Sequence, residues 1–539
     1  MITFELILDD CPRAPLRENK TCRLGAHSFV NAFPNPTISL GVVSAEGRWL
    51  IFAYENRDEK RRDSDYLRTL PHDLHGLTEA AYDEVFGVVL GHPNEVFAIE
   101  CSHGAGVARV RLLSGSNGTC PIYVSGDASR LVGSWDILQL SRGLSAKRFD
   151  QQYLIHAAYR PVYSTRTPYH GVAMMPPYSV VEWDGGTPTL TSPPLDPDVD
   201  VSSSTNADEA RARFSELLDD VWNARSLLAH QTAFELSGGY DSSVVALSFS
   251  RRRGGGAHHL SILVPDTALS ESQAARISAI TTACGAHTHA IPMGDYLPSY
   301  AKLARFQSLY YQSESYYSAF RAVWREARKS GADVIVSGHG GDELFPTFQG
   351  EGFEVDRLRD RVGPAPADVE RLFLNCLTQP AKNLAESPLW NAATVPTSRI
   401  SALASMARHT PLVMQEGLWP VYPLCSVPLV HFCQALPFEL RFEKALLLSY
   451  IENSNFDASM FRNYAKENFV DGDIAGLLKE ETAIKLLTRD MAVYDLDIVS
   501  PQQFRKDVEE FYSKRSNDLL HHICSILHLE AFLQESAYA

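Results

Sequence analysis

Asp241 and Asp342 are the residues from which chemistry is read first in this 539-residue chain, because each lies in a glycine-dense turn. The first turn, Ser237–Ser243 (SGGYDSS), follows the apolar approach Ala233-Phe234-Glu235-Leu236 and precedes Val244-Val245-Ala246-Leu247. That order predicts strand, tight turn, helix. Such a turn aims several backbone N–H groups and the positive end of a helix at one point, which suits a phosphate. Gly238 and Gly239 let an anion approach the main chain, and Ser237, Ser242 and Ser243 add hydroxyl donors. A carboxylate at Asp241 repels phosphate unless a cation lies between them, and Mg2+ is the ordinary solution.

The second turn repeats the logic. Asp333-Val334-Ile335-Val336 is a short β-branched run that delivers Gly338-His339-Gly340-Gly341, followed by Asp342 and Glu343 (SGHGGDELF, 337–345). Two strand ends of this kind predict one nucleotide crevice at the carboxyl edge of a parallel sheet, with Mg2+ held by Asp241 and Asp342. No lysine follows the final glycine, so this is not the Walker pattern, and the dinucleotide fingerprint is also missing. A neutral imidazole at His339 is suited to accepting a proton near neutral pH. It is equally able to fill the turn or bind phosphate.

These residues need elements to hold them. Asp184-Gly185-Gly186 and the Pro-, Ser- and Asp-rich stretch after it predict a linker over 191–208. Before it, residues 1–190 show short apolar runs between turn signals (38–43, 107–112, 122–124, 179–183), which predict a strand-dominated domain. After it, residues 209–539 begin with an amphipathic helix over Glu209–Leu228, then alternate strand and helix, and become mostly helical beyond about 365. The Arg251-Arg252-Arg253 run reads as a solvated helix end.

Composition narrows the class. A net charge of −16 disfavours a nucleic-acid surface, and no apolar run is long enough to cross a bilayer. Nine scattered cysteines with no CxxC pair disfavour structural zinc and a disulfide framework. The amino terminus, MITFELILDD, lacks the pattern of a secretory signal. The expectation is a cytoplasmic enzyme that binds neither nucleic acid nor membrane.

SGGYDSS resembles the pyrophosphatase loop of enzymes that split ATP between its α and β phosphates. Joined to SGHGGDELF, it is similar to the synthetase half of the asparagine synthetase superfamily. That resemblance implies a C-terminal parallel-sheet, adenine-nucleotide α-hydrolase-like (PP-loop) domain. It also implies an N-terminal Ntn-hydrolase-like αββα sandwich, where Cys120–Val124 with Val132–Trp135, and Arg166–Val172 with Met175-Pro176-Pro177, resemble the end of a glutaminase domain. Glutamine-dependent members expose a catalytic cysteine as residue 1. Here Ile2 and Thr3 follow Met1 and the first cysteine is Cys11, so the domain is expected to lack glutaminase activity.

The same resemblance implies site residues. The strand read at Leu260–Val264, with Leu263, lays adenine against its backbone, and Ser270-Glu271 with the helix after it is similar to the segment that follows that strand. Gly338, Gly340 and Gly341 belong to the nucleotide site. Glu314, in the helical lead into the second motif, is a substrate-side candidate. Lys466, in Tyr464–Phe469, resembles the lysine that holds the α phosphate and later the oxyanion, whereas Lys444 and the segment 430–437 read as structural. At His339 asparagine synthetases carry glutamate and β-lactam synthetases tyrosine, so the nucleophile is expected to differ here.

The implied function is an AMP-forming amide ligase using ATP and Mg2+ on a peptide or small-molecule carboxylate. Lasso-type macrolactam closure is the first reading, with a leader peptidase and a leader-binding protein as partners. The other readings are a β-lactam- or carbapenam-synthetase-like enzyme, another small-molecule amide synthetase, or an ammonia-dependent asparagine synthetase. A tRNA-modifying enzyme shares the first loop but is opposed by the acidic charge and by GGDELF.

Overall fold

Five short parallel strands form the sheet that carries both glycine turns. Side by side they run His287–Pro292, His258–Leu263, Thr232–Glu235, Val334–Val336 and Trp419–Val421. The computed structural model describes residues 1–10, 15–57, 73–104, 107–144, 148–159, 163–192, 206–264, 267–300, 316–347, 367–386, 400–454, 458–462, 464, 467, 469–514 and 517–538. In chain order the strands lie 3-2-1-4-5, so the direction of winding reverses between the first, Thr232–Glu235, and the fourth, Val334–Val336. Ligands of open α/β sheets bind outside the carboxyl ends at such a reversal. The two glycine turns leave from those two ends.

Both faces of this sheet are covered, which explains why its strands read as apolar runs rather than alternating ones. Phe234, Val334 and Val336 pack with Val244, Phe249, Ile277 and Ile280 of the helices Tyr240–Arg253 and Thr267–Cys284. Ala233 and Ile335 point the other way, into a core with Val323 and Trp324 of the helix Tyr317–Lys329. The period-two alternation of a strand sorts these residues into their layers. The predicted amphipathic helix spans Ala207–Asn223, with Asn206 capping its N-terminus.

The N-terminal half is built from two seven-stranded sheets, each almost entirely antiparallel. The sheets face each other: Phe4 of one stacks on Phe97 of the other with ring centroids 6.2 Å apart. Helix Glu79–Leu90 covers one outer face through Tyr82 and Val89. Helices Ile137–Arg142 and Gln151–Tyr159 cover the other. This is the layered sandwich expected from the sequence. The hairpin read from residues 120–135 pairs Ile122–Gly126 with Arg130–Ser134.

Beyond about residue 365 the described elements are mostly helical, as read from the sequence, with the short strand Trp419–Val421 among them as the fifth strand of the parallel sheet. Its three residues and its proline give no strand pattern. No disulfide joins any of the eight described cysteines, all buried. Among the described residues no helix is long and apolar enough to cross a membrane.

Candidate functional site: two glycine turns and a buried lysine

Leu236 carries the first strand into the turn, and the chain then pivots at Gly238, whose φ of +83° lies where side chains are disfavoured. Gly239 caps helix Tyr240–Arg253, so the first backbone N–H groups of that helix face the crevice. Ser237 and Ser242 brace the turn: their hydroxyls lie 3.0 Å apart, and the Gly239 N–H donates to Ser237 Oγ at 3.2 Å. Ser243 is fully buried beneath them.

Helix Thr267–Cys284 holds the turn from behind. Gln273 Nε2 donates to the carbonyls of Ser237, at 3.1 Å, and Ile262, at 3.0 Å. Arg276 Nε donates to the Gly238 carbonyl at 2.9 Å. Its guanidinium, almost fully buried, pairs with Glu467 and stacks over the Tyr464 ring at 3.9 Å. The sequence reading passed over Gln273 and Arg276, although their i, i+3 spacing places both on one helix face.

The second turn packs directly onto the first. A Cβ at Gly338 would stand 2.8 Å from the Ser242 nitrogen, and one at Gly341 would lie closer than 3.0 Å to the Asp241 carboxyl. Gly340, at φ +93°, passes against Leu424 and Cys425. The Gly338 and Gly341 contacts require glycine on one turn because Asp241 stands on the other. The two motifs therefore form one site.

Lys444 closes it. Its ammonium bridges Asp241 Oδ2 and Asp342 Oδ1, the latter at 2.7 Å. The side chain is buried, and the residue adopts a left-handed backbone (φ +56°) directly after Glu443 (φ +53°). Two such residues in a row are strained. The strained pair is what aims the lysine inward from the start of helix Ala445–Glu452. Burial alone would lower the ammonium's pKa, but Asp241 and Asp342 together raise it, so it stays charged. Lys444, read from the sequence as structural, sits between the two site carboxylates.

His339 lies in a cluster of rings. Ser337 Oγ bonds its Nδ1, and its ring centroid lies 4.8 Å from that of His409 and 5.5 Å from that of Tyr422. Glu235 completes the cluster, accepting from Trp324 Nε1 at 2.7 Å and lying 3.3 Å from His409 Nε2. Burial alone would raise the Glu235 pKa, but His409 first, then His339 and the Trp324 N–H, hold it down to about 2. Leu263 ends the second strand, next to the first. Glu314 and Lys466 lie outside the described residues; of the latter's neighbours, Tyr464 and Glu467 stand beside the phosphate loop through Arg276.

Residues 213–533, more than half of the chain, match the sequence model of the asparagine synthase family. A search of curated proteins finds no match. Among solved structures, the U34-tRNA thiolase NcsA from Methanococcus maripaludis, with its [4Fe-4S] cluster, is 14% identical over 51% of this chain and 74% of its own, at a TM-score of 0.25. An NH3-dependent NAD synthetase from Campylobacter jejuni is 9% identical over 57% of this chain and 95% of its own, at a TM-score of 0.22. Both scores are too low for either overlap to bear on the site. The match over residues 213–533 nevertheless takes in both glycine turns, the lysine between their aspartates and the sheet reversal that joins them: the chain belongs to the asparagine synthase family of ATP-dependent amide-forming enzymes.

Proposed function

We propose that this protein is an AMP-forming amide ligase that closes a macrolactam ring in a lasso-type precursor peptide. The observation that carries the ligase chemistry is the meeting of Asp241, Asp342 and Lys444 at the sheet reversal. Asp241 and Asp342 are the residues that would hold Mg2+. They fit in that their oxygens converge on one cationic position, which the Lys444 ammonium takes in this structure. When bound, that ion neutralises polyphosphate charge.

The chain's own residues then have separate tasks. The Ser237–Ser243 turn offers backbone N–H groups and hydroxyls to the pyrophosphate that leaves when a substrate carboxylate attacks the α phosphate. Lys444 places a fixed positive charge where negative charge builds up on the transferring group, and such preorganised charge is often the largest catalytic term. Lys466 is the second cation proposed for the oxyanion. His339 takes the proton of the attacking amine. Holding amine and activated carboxyl on one peptide makes the second step effectively intramolecular.

Ring closure within one substrate is favoured by chain length and by His339 in place of an acidic or tyrosyl residue. A peptide substrate of this kind requires a leader peptidase and a leader-binding protein as partners, and the cytoplasm is the compartment proposed for all three. Mass spectrometry after incubation with ATP, Mg2+ and a precursor peptide bearing Asp or Glu at the ring position tests the reading. The expected product is the peptide less one water, formed with AMP. Formation of ADP would rule the mechanism out, and AMP with an uncyclised peptide would rule out ring closure.

A further inference from the structure

Glu235 is the last residue of the central strand, two positions before the phosphate loop, and its carboxylate lies among rings. An acid is a costly residue to hold in this largely buried position. One of its oxygens and one imidazole nitrogen each of His339 and His409 lie within 4.8 Å of one another. His409 is itself buried and clamped edge-on by Trp324 and Phe320, at 5.0 and 5.8 Å between centroids. On its far side, His409 Nδ1 meets the Tyr422 hydroxyl at 3.2 Å, and that hydroxyl meets Thr410 Oγ1 at 3.0 Å. Strand Thr232–Glu235, helices Tyr317–Lys329 and Ile400–Gln415, and Tyr422 therefore fix one carboxylate and one imidazole against the ring of His339.

We propose that Glu235 and His409 are positioning residues for His339, orienting its imidazole and balancing the charge it gains when it deprotonates the attacking amine. This rests on the amide-forming reaction proposed above. In that step the amine nitrogen bonds to the acyl carbon while the bond from that carbon to the AMP oxygen breaks. AMP keeps the electron pair, and the proton passes from nitrogen to the His339 imidazole. The Glu235 carboxylate then faces an imidazolium. A base oriented by a third group is the arrangement that recurs wherever an imidazole serves a nucleophile. Two imidazoles and a carboxylate also suit Zn2+ or Mn2+. Here, however, the carboxylate oxygen nearest His409 is already taken by the Trp324 indole.

The test uses E235Q, which preserves shape and the acceptor for Trp324, together with H409Q. Side-chain 15N spectra of histidine-labelled protein, assigned with H339Q and H409Q, should show the His339 and His409 signals moving in E235Q. Unmoved His339 signals would overturn the proposal without any substrate being needed. With the carboxylate identified by mass spectrometry, E235Q should slow amide formation by roughly 100-fold, the scale of general-base catalysis. Hydroxylamine, largely unprotonated at neutral pH, should bring the rate of capture back to within a few-fold of wild type. Equal losses with both nucleophiles would reduce Glu235 to a structural residue. One equivalent of Zn2+ or Mn2+ retained by wild type and lost from E235Q would also overturn the proposal, making the cluster a metal site. If no carboxylate yields AMP, the ligase reading fails, while the spectra still decide whether Glu235 controls His339.

Discussion

Lys444 stands where two negative charges would otherwise face each other. Lys444 is buried but the Asp342 side chain is about half exposed, so losing the lysine leaves charge that solvent screens only in part. K444M should therefore lower the melting temperature, and added Mg2+ should recover more stability in the variant than in wild type, since the ion would replace the lysine between Asp241 and Asp342. Thermal unfolding with and without Mg2+ checks this, and an unchanged melting temperature would refute it. Two other carboxyls set the pH response. Glu235 is held down to about 2 against an ordinary 4.5, so its stabilisation is complete above pH 4.5 and is lost as pH falls toward 2. Glu95 behaves oppositely: burial pushes it up to about 7 despite the Thr119 N–H it accepts, so stability is lost as pH rises from 4.5 to 7. Melting temperatures measured across that upper window should fall in wild type and stay flatter in E95Q. At this scale the sequence was legible where a motif surrounded the residue, as for Asp241, Asp342 and the glycines. It was not legible for Lys444, about 100 positions from Asp342, whose inward aim comes from a left-handed backbone that no local pattern announces.

The elements do their work through one reversal of winding. Because strands Thr232–Glu235 and Val334–Val336 are neighbours, both glycine turns emerge at one edge, and Gly338 and Gly341 of the second leave no room for a side chain against Asp241 and Ser242 of the first. G341A should place its methyl against Asp241, cost about 1–3 kcal/mol by overpacking and abolish AMP formation. G186A, at a glycine with open space and no positive φ, should be silent in both assays. Comparable losses in the two variants would show that the close approach of the turns does not matter. Strand, turn and helix at each motif were readable because apolar runs met glycine pairs. The strand Trp419–Val421 was not, since its strand character comes from pairing with Val334–Val336 and not from its own residues.

Across the whole molecule, the N-terminal sandwich grips the back of the synthetase sheet. Asn35 Nδ2 donates to the carbonyls of Asp333, at 2.8 Å, and Gly417, at 3.1 Å, just before the fourth and fifth strands. Thr410, beside His409, donates to the Thr119 carbonyl at 2.6 Å, and Arg225 pairs with Glu55 at 2.7 Å with both side chains buried. R225A should cost about 3–5 kcal/mol, because Glu55 would be left charged and unpaired in the interface. Chemical denaturation should register that loss, and a change within experimental error would remove the pair from the fold's support. The existence of two differently built halves was visible in the alternation of short apolar runs and in the Pro- and Ser-rich stretch between them. Their docking was not, because it depends on single polar side chains meeting backbone carbonyls about 300 residues away.

The central claim is that the Asp241–Lys444–Asp342 junction directs cleavage of ATP between its α and β phosphates. Isotope exchange from labelled pyrophosphate into ATP, dependent on Mg2+ and the cyclisable peptide, measures that cleavage directly. Exchange is expected in wild type, about 100-fold less or none in D241N, D342N and K444M, and none from labelled orthophosphate. Exchange from orthophosphate, or exchange undiminished in the two aspartate variants, would contradict it.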